Sequence, residues 1–108
     1  MRFLKTVLGL FLVCAAPSSV AQSDYPVDVE LVLAIDSSAS VDRDEFDLQL
    51  RGLALAFNDP EVQQAIRNGA FQAIAVTLVE WSSVDRQAVN IPWRLINDRE
   101  SAEAFAAD

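Results

Sequence analysis

The sequence predicts an α/β domain: an open sheet with helices on both faces, in the order β-α-α-β-β-α. Three observations lead there. Leu31 to Ile35 is an apolar run of strand length that stops at Asp36. Phe46, Leu50, Leu53, Ala54 and Phe57 then recur at helical spacing, which marks one apolar stripe on an amphipathic helix. A second apolar run, Ile74 to Val79, follows. Short, continuously apolar runs suit strands covered on both faces, as parallel strands are.

The elements can be justified in order. Residues 22–26 form a polar lead-in, and Val27 to Ile35 reads as strand one. Ser37 to Val41 is a loop. Asp42 and Glu45 have capping-box spacing, so Asp42 is expected to start a helix, with Asp44, Glu45 and Asp47 where negative charge suits the helix dipole. Asn58-Asp59-Pro60 breaks that helix. Asp59 can cap a short second helix with Pro60 at its first position. Asn68-Gly69 should end it, Gly69 supplying a left-handed residue. Strand two is expected over Phe71 to Trp81, and Trp81 and Trp93 are assigned to partial core. Ser82 to Asp85 reads as a turn. Gln87 to Ile91 alternates polar and apolar, which predicts a half-exposed strand antiparallel to strand two. Pro92 should end it, and Asn97 or Asp98 should open a last helix. No internal repeat or low-complexity segment interrupts this order.

Composition narrows the function. Arg2 and Lys5 precede the apolar stretch Val7 to Ala16, and Ser19-Val20-Ala21 supplies small residues for cleavage before Gln22. This is the pattern of an export signal over residues 1–21, and the run is too short to span a bilayer. A lipid-modified leader ending at Cys14 is disfavoured, because Val13 stands where a small residue is expected. The expected location is periplasmic or extracellular, with no stable membrane insertion after cleavage. The formal charge is −8, and removal of Arg2 and Lys5 leaves 6 basic against 16 acidic residues, or −10. Nucleic acid is therefore not an expected partner, nor is an anionic membrane surface. The chain has no histidine, and its one cysteine lies in the leader. Ser-His-Asp and Cys-His catalysis, histidine-ligated zinc and a stapling disulfide are excluded from the mature part.

The chemistry concentrates at Asp36-x-Ser38-x-Ser40. One carboxylate and two hydroxyls follow a buried strand, at the sheet edge where open α/β folds bind ligands. Hard oxygens at alternate positions suit Mg²⁺ or another divalent cation. The bland readings are hydrogen bonds from Asp36 to loop amides, and from Ser38 and Ser40 to backbone groups near the helix start.

At this motif the chain resembles a von Willebrand factor type A domain, whose metal-ion-dependent adhesion site begins with Asp-x-Ser-x-Ser. Val76-Thr77-Leu78-Val79-Glu80-Trp81-Ser82 is similar to that family's second sheet segment, and Gln87 to Trp93 to its antiparallel edge strand. The Val-Glu-Trp-Ser and Ile-Pro-Trp pieces look most like a bacterial group of exported A domains with no assigned function. The resemblance implies a Rossmann-like open sheet in which residues 27–108 are the N-terminal half of the domain, truncated after about three strands. It implies that Ser38 and Ser40 bind the cation through their hydroxyls, and Asp36 directly or through a water. It also implies a protein partner that offers an acidic side chain to the cation. The family's site uses in addition a threonine from a second loop and an aspartate from a third. No threonine follows Leu78, Thr77 lies inside strand two, and Asp85 and Asp98 sit in other contexts.

The expected function is thus an exported, cation-assisted protein-binding module without catalysis. The alternative is a non-functional or partner-completed fragment with no metal site. An aspartate-dependent hydrolase is a third reading. Asp36-Ser37-Ser38 faintly resembles the Asp-Ser-Gly of aspartic proteases, but Ser38 replaces the glycine and the flanking helices do not suit an all-β protease.

Overall fold

A computed structural model describes residues 24–108. The expected leader, residues 1–21, lies outside them. The elements are β1 (Val29–Asp36), α1 (Arg43–Asn58), α2 (Pro60–Arg67), β2 (Ile74–Ser83), β3 (Arg86–Ile96) and α3 (Arg99–Ala107). They form an α/β unit with an open three-stranded sheet in the order β1-β2-β3. β1 pairs with β2 in parallel, from Val29 opposite Ile74 to Asp36 opposite Trp81. β2 and β3 form an antiparallel hairpin.

The caps read from the sequence are in place. The Asp42 carboxylate accepts the Glu45 N–H at 2.9 Å, and the Glu45 carboxylate accepts the Asp42 N–H at 2.9 Å. Asp59 ends α1 by donating its N–H to the Ala56 carbonyl, and starts α2 by accepting the Glu61 N–H at 2.7 Å. The buried Gln63 donates its amide to the Phe57 carbonyl at 3.0 Å, giving a partner to a last-turn carbonyl of α1. Asp98 caps α3 and accepts the Ser101 N–H at 2.7 Å.

The core lies between the sheet and α1 and α3. Ile35, Val76, Leu78, Ile91 and Ile96 of the strands meet Phe57, Ala102 and Phe105 of the helices, with Ile66 of α2 packed against them. Phe57 and Phe105 meet edge to face with centroids 4.7 Å apart, a favourable arrangement for the ring quadrupoles. Arg94 of β3 and Asp108 pair at 2.8 Å, both well exposed, so the pair contributes little.

Several expectations need correction. Helices do not cover both faces of the sheet among the described residues. Leu31, Leu33 and Ile35 turn toward the helices, while Val32 and Ala34 are exposed. The crossover from β1 to β2 lays α1 on one face, the hairpin needs no helix, and α3 folds back beside α1. Trp81 and Trp93 are accordingly exposed, at 40% and 53%, together with Val89.

Strand two begins at Ile74 rather than Phe71. Gln72 has φ of 56°, and that left-handed residue bends the chain just before the ladder starts. Gly69 does not have a positive φ, and α2 ends on Asn68 with ordinary helical angles. Gly69 leaves room instead for the Asp28 carboxylate, which a Cβ there would push aside. That carboxylate is held by the Phe71 N–H, at 3.1 and 3.2 Å from its two oxygens.

Pro92 does not end strand three. β3 runs through it, and the register between β2 and β3 shifts between Leu78, opposite Ile91, and Val76, opposite Arg94. Pro92 and Trp93 thus bulge against the single residue Thr77. An edge strand at a bulge tolerates the missing proline N–H. The buried Thr77 hydroxyl donates to the Ile91 carbonyl at 2.7 Å.

Candidate functional site

Asp36 is the last residue of β1, and the loop beyond it stands at the carboxyl end of the two parallel strands. The chain leaves the sheet in stages. The Ser37 N–H still donates to the Trp81 carbonyl at 2.8 Å, and its hydroxyl reaches the same oxygen at 3.2 Å. The Asp36 carboxylate then folds over its own loop and accepts the Ser38 N–H at 2.8 Å, a turn in which an aspartate side chain mimics a backbone carbonyl. The Val41 N–H closes the loop on the Ser38 carbonyl at 2.9 Å. The Asp42 capping box takes over from there.

This geometry brings Asp36, Ser38 and Ser40 together. The Ser38 and Ser40 hydroxyl oxygens lie 3.3 Å apart, and Ser38 bonds back to Asp36. The Ser38 hydroxyl, and after it the Ser38 backbone N–H, hold the Asp36 carboxyl below the usual carboxylate range. The group is therefore anionic at neutral pH.

Glu80, near the end of β2, stands on the other side of Ser37. It accepts the Asn90 side-chain amide at 2.9 Å. That amide first, and Ser37 second, lower its pKa. Ser37, Val41, Asp42, Arg43, Phe46 and Glu80 line a shallow depression of about 220 Å³. A larger apolar groove of about 350 Å³ lies away from this loop, between α1, β3 and α3.

The donor set fits a hard divalent cation in kind. One carboxylate and two hydroxyls are oxygen ligands, and Mg²⁺ commonly keeps several waters beside one or two carboxylates. It is a sparse set. No group of three or more acidic, histidine or cysteine side chains that could hold a metal occurs among the described residues. Thr77 is committed to Ile91, Asp98 to its helix cap, and Asp85 lies in the β2–β3 turn. None of them joins the loop.

Sequence reasoning missed Gln49. It is an intermediate-exposure residue of α1 whose side-chain amide reaches across to Asp36. Gln49 Oε1 accepts the Asp36 N–H at 3.0 Å, and Gln49 Nε2 donates to the Asp36 carbonyl at 2.9 Å. A glutamine among apolar helix positions gives no signal of this in one dimension. Only the packing of α1 on β1 brings it to the strand end.

The fold and loop together define an α/β domain with a polar loop at the carboxyl edge of its parallel strands. Residues 26–108 match the family described as "Protein of unknown function (DUF1194)", and the chain belongs to that family. No curated protein and no solved structure matches it. Among the described residues no helix is long and apolar enough to cross a membrane.

Proposed function

We propose that this domain is an exported binding module of von Willebrand factor A type, which uses a divalent cation such as Mg²⁺ to engage a protein partner. The observation that carries the proposal is the convergence of Asp36, Ser38 and Ser40 on one loop at the carboxyl end of β1. Asp36 supplies charge, and the two hydroxyls supply neutral oxygen ligands. A single carboxylate leaves a dication under-neutralised, so an acidic side chain of the partner is the natural group to complete its shell. The proposal assigns the loop no catalysis.

One observation favours a second reading, that of a fragment without a metal site. An oxygen of Asp36 is already engaged by the Ser38 N–H, so the loop is self-satisfied without an ion. Calorimetric titration with Mg²⁺ and Mn²⁺ separates the two readings, with tryptophan fluorescence of a Trp93→Phe variant, which leaves Trp81 beside the loop, as a second probe. The proposal expects saturable binding of one ion, lost in Asp36→Asn and weakened in Ser38→Ala. Heat of dilution alone up to about 10 mM cation, beyond the weakest range of dedicated protein sites, would establish the fragment reading.

A further inference from the structure

We infer that Gln49 is the positioning residue of the Asp36 loop, making with one side chain the pair of hydrogen bonds that a neighbouring strand makes. Among the described residues β1 pairs on one side only, with β2. At its end Ser37 directs its N–H to Trp81 of β2, so Asp36 turns its own N–H and carbonyl to the open side. An unpaired peptide there would be free to rotate, and the carboxylate would move with it. Gln49 prevents this, because its amide donates to the Asp36 carbonyl and accepts from the Asp36 N–H. A primary amide has one acceptor and one donor edge, which is the pair a strand presents to its neighbour. Both peptide groups that flank the Asp36 Cα are therefore fixed by α1, and the side chain that accepts the Ser38 N–H projects from a fixed base.

The helix is fixed in turn. Its first turn is capped by Asp42, at the far end of the same loop, and Phe46 and Leu53 pack against the core on either side of Gln49 in sequence. The loop is thus clamped from both ends by α1. This assignment rests on the cation reading only for its effect on affinity; the hold on Asp36 is independent of any ligand.

The test combines amide hydrogen exchange by NMR with Mg²⁺ titration, on the full chain and two variants. Gln49→Met keeps the length and loses both hydrogen bonds. Gln49→Glu keeps an acceptor for the Asp36 N–H and loses the donor when ionised. Exchange at Asp36 should become at least about tenfold faster in Gln49→Met, with Ser37 unchanged as internal control. In Gln49→Glu most of the Asp36 protection should survive. Mg²⁺ affinity should fall about tenfold or more in Gln49→Met, the usual effect of losing a residue that orients a ligand. Equal acceleration at Asp36 and Ser37 would mean general loosening and would overturn the assignment. Unchanged exchange at Asp36 would overturn it as well. Should the unaltered chain bind no Mg²⁺, the cation reading falls, while the Asp36 amide still decides whether Gln49 holds the loop. If Gln49→Met does not fold, Gln49→Glu decides: Asp36 exchange matching that of an open amide would overturn the inference.

Discussion

At the scale of single residues, two small residues with distant partners, Gly69 and Thr77, give direct tests of the fold. Gly69 lies against the Asp28 carboxylate, and that carboxylate is pinned by Phe71. Gly69→Ala should therefore push the exposed Asp28 side chain aside and, since what is lost is its exposed hydrogen bond to Phe71, destabilise the chain by about 0.5–1.5 kcal/mol. The double variant with Asp28→Ala should cost less than the sum of the two single changes, because the collision partner is gone. Urea denaturation of the four proteins checks this. Thr77→Val, nearly isosteric, strands the Ile91 carbonyl in the core and should cost about 1–3 kcal/mol in the same assay. Asp28 and Thr77 also show where the sequence was silent. Both lie in segments whose pattern is strand-like, and their polar partners are more than ten residues away in the chain.

At the scale of elements, caps were legible and strand limits were not. Asp42, Asp59 and Asp98 were readable because a cap acts on residues two or three positions away. Asp42→Ala removes one arm of the capping box and should lower stability by about 1 kcal/mol, read as a lower melting temperature with the loop amides exchanging faster. β3 runs past its expected end at Pro92, where a proline normally stops a ladder; the bulge opposite Thr77 absorbs it, and a bulge has no local sequence mark. Acid should reveal the carboxylate caps. The Ser101 hydroxyl, and then its N–H, lower the pKa of Asp98, and Glu80 is lowered by Asn90 and Ser37. A carboxylate with a depressed folded-state pKa contributes stability above its unfolded value, and that stability is lost as pH falls through the folded value. The melting temperature should be flat above about pH 5 and fall below about pH 4. Asp98→Asn keeps a capping oxygen and should flatten that slope, as followed by circular dichroism.

At the scale of the whole molecule, the described helices sit on one face of the sheet and no described element covers the other. Val32, Trp81, Val89, Trp93 and Leu95 are all exposed, and contiguous apolar surface of this kind drives association. Among the described residues the outer edge of β1 is also unpaired, a second route to self-pairing. The chain should self-associate with rising concentration in sedimentation velocity, and Trp93→Glu should shift it toward monomer; a single monomeric species at all concentrations would contradict this. The α/β class, the order of elements and the place of the loop were legible, since apolar period and cap chemistry are local signals. The open face was not. Val32 and Ala34 lie in an apolar run that fits a strand covered on both sides, and only the three-dimensional course of the chain leaves one side bare.

Asp59 closes one helix and opens the next, and Gln63 spans the same joint to reach Phe57. Two helices joined in this way have no free hinge. Swinging α2 away from α1 would break the Gln63 bond and expose both helix ends together. The bend between α1 and α2 is therefore braced by the side chains of Asp59 and Gln63 rather than left to a loop.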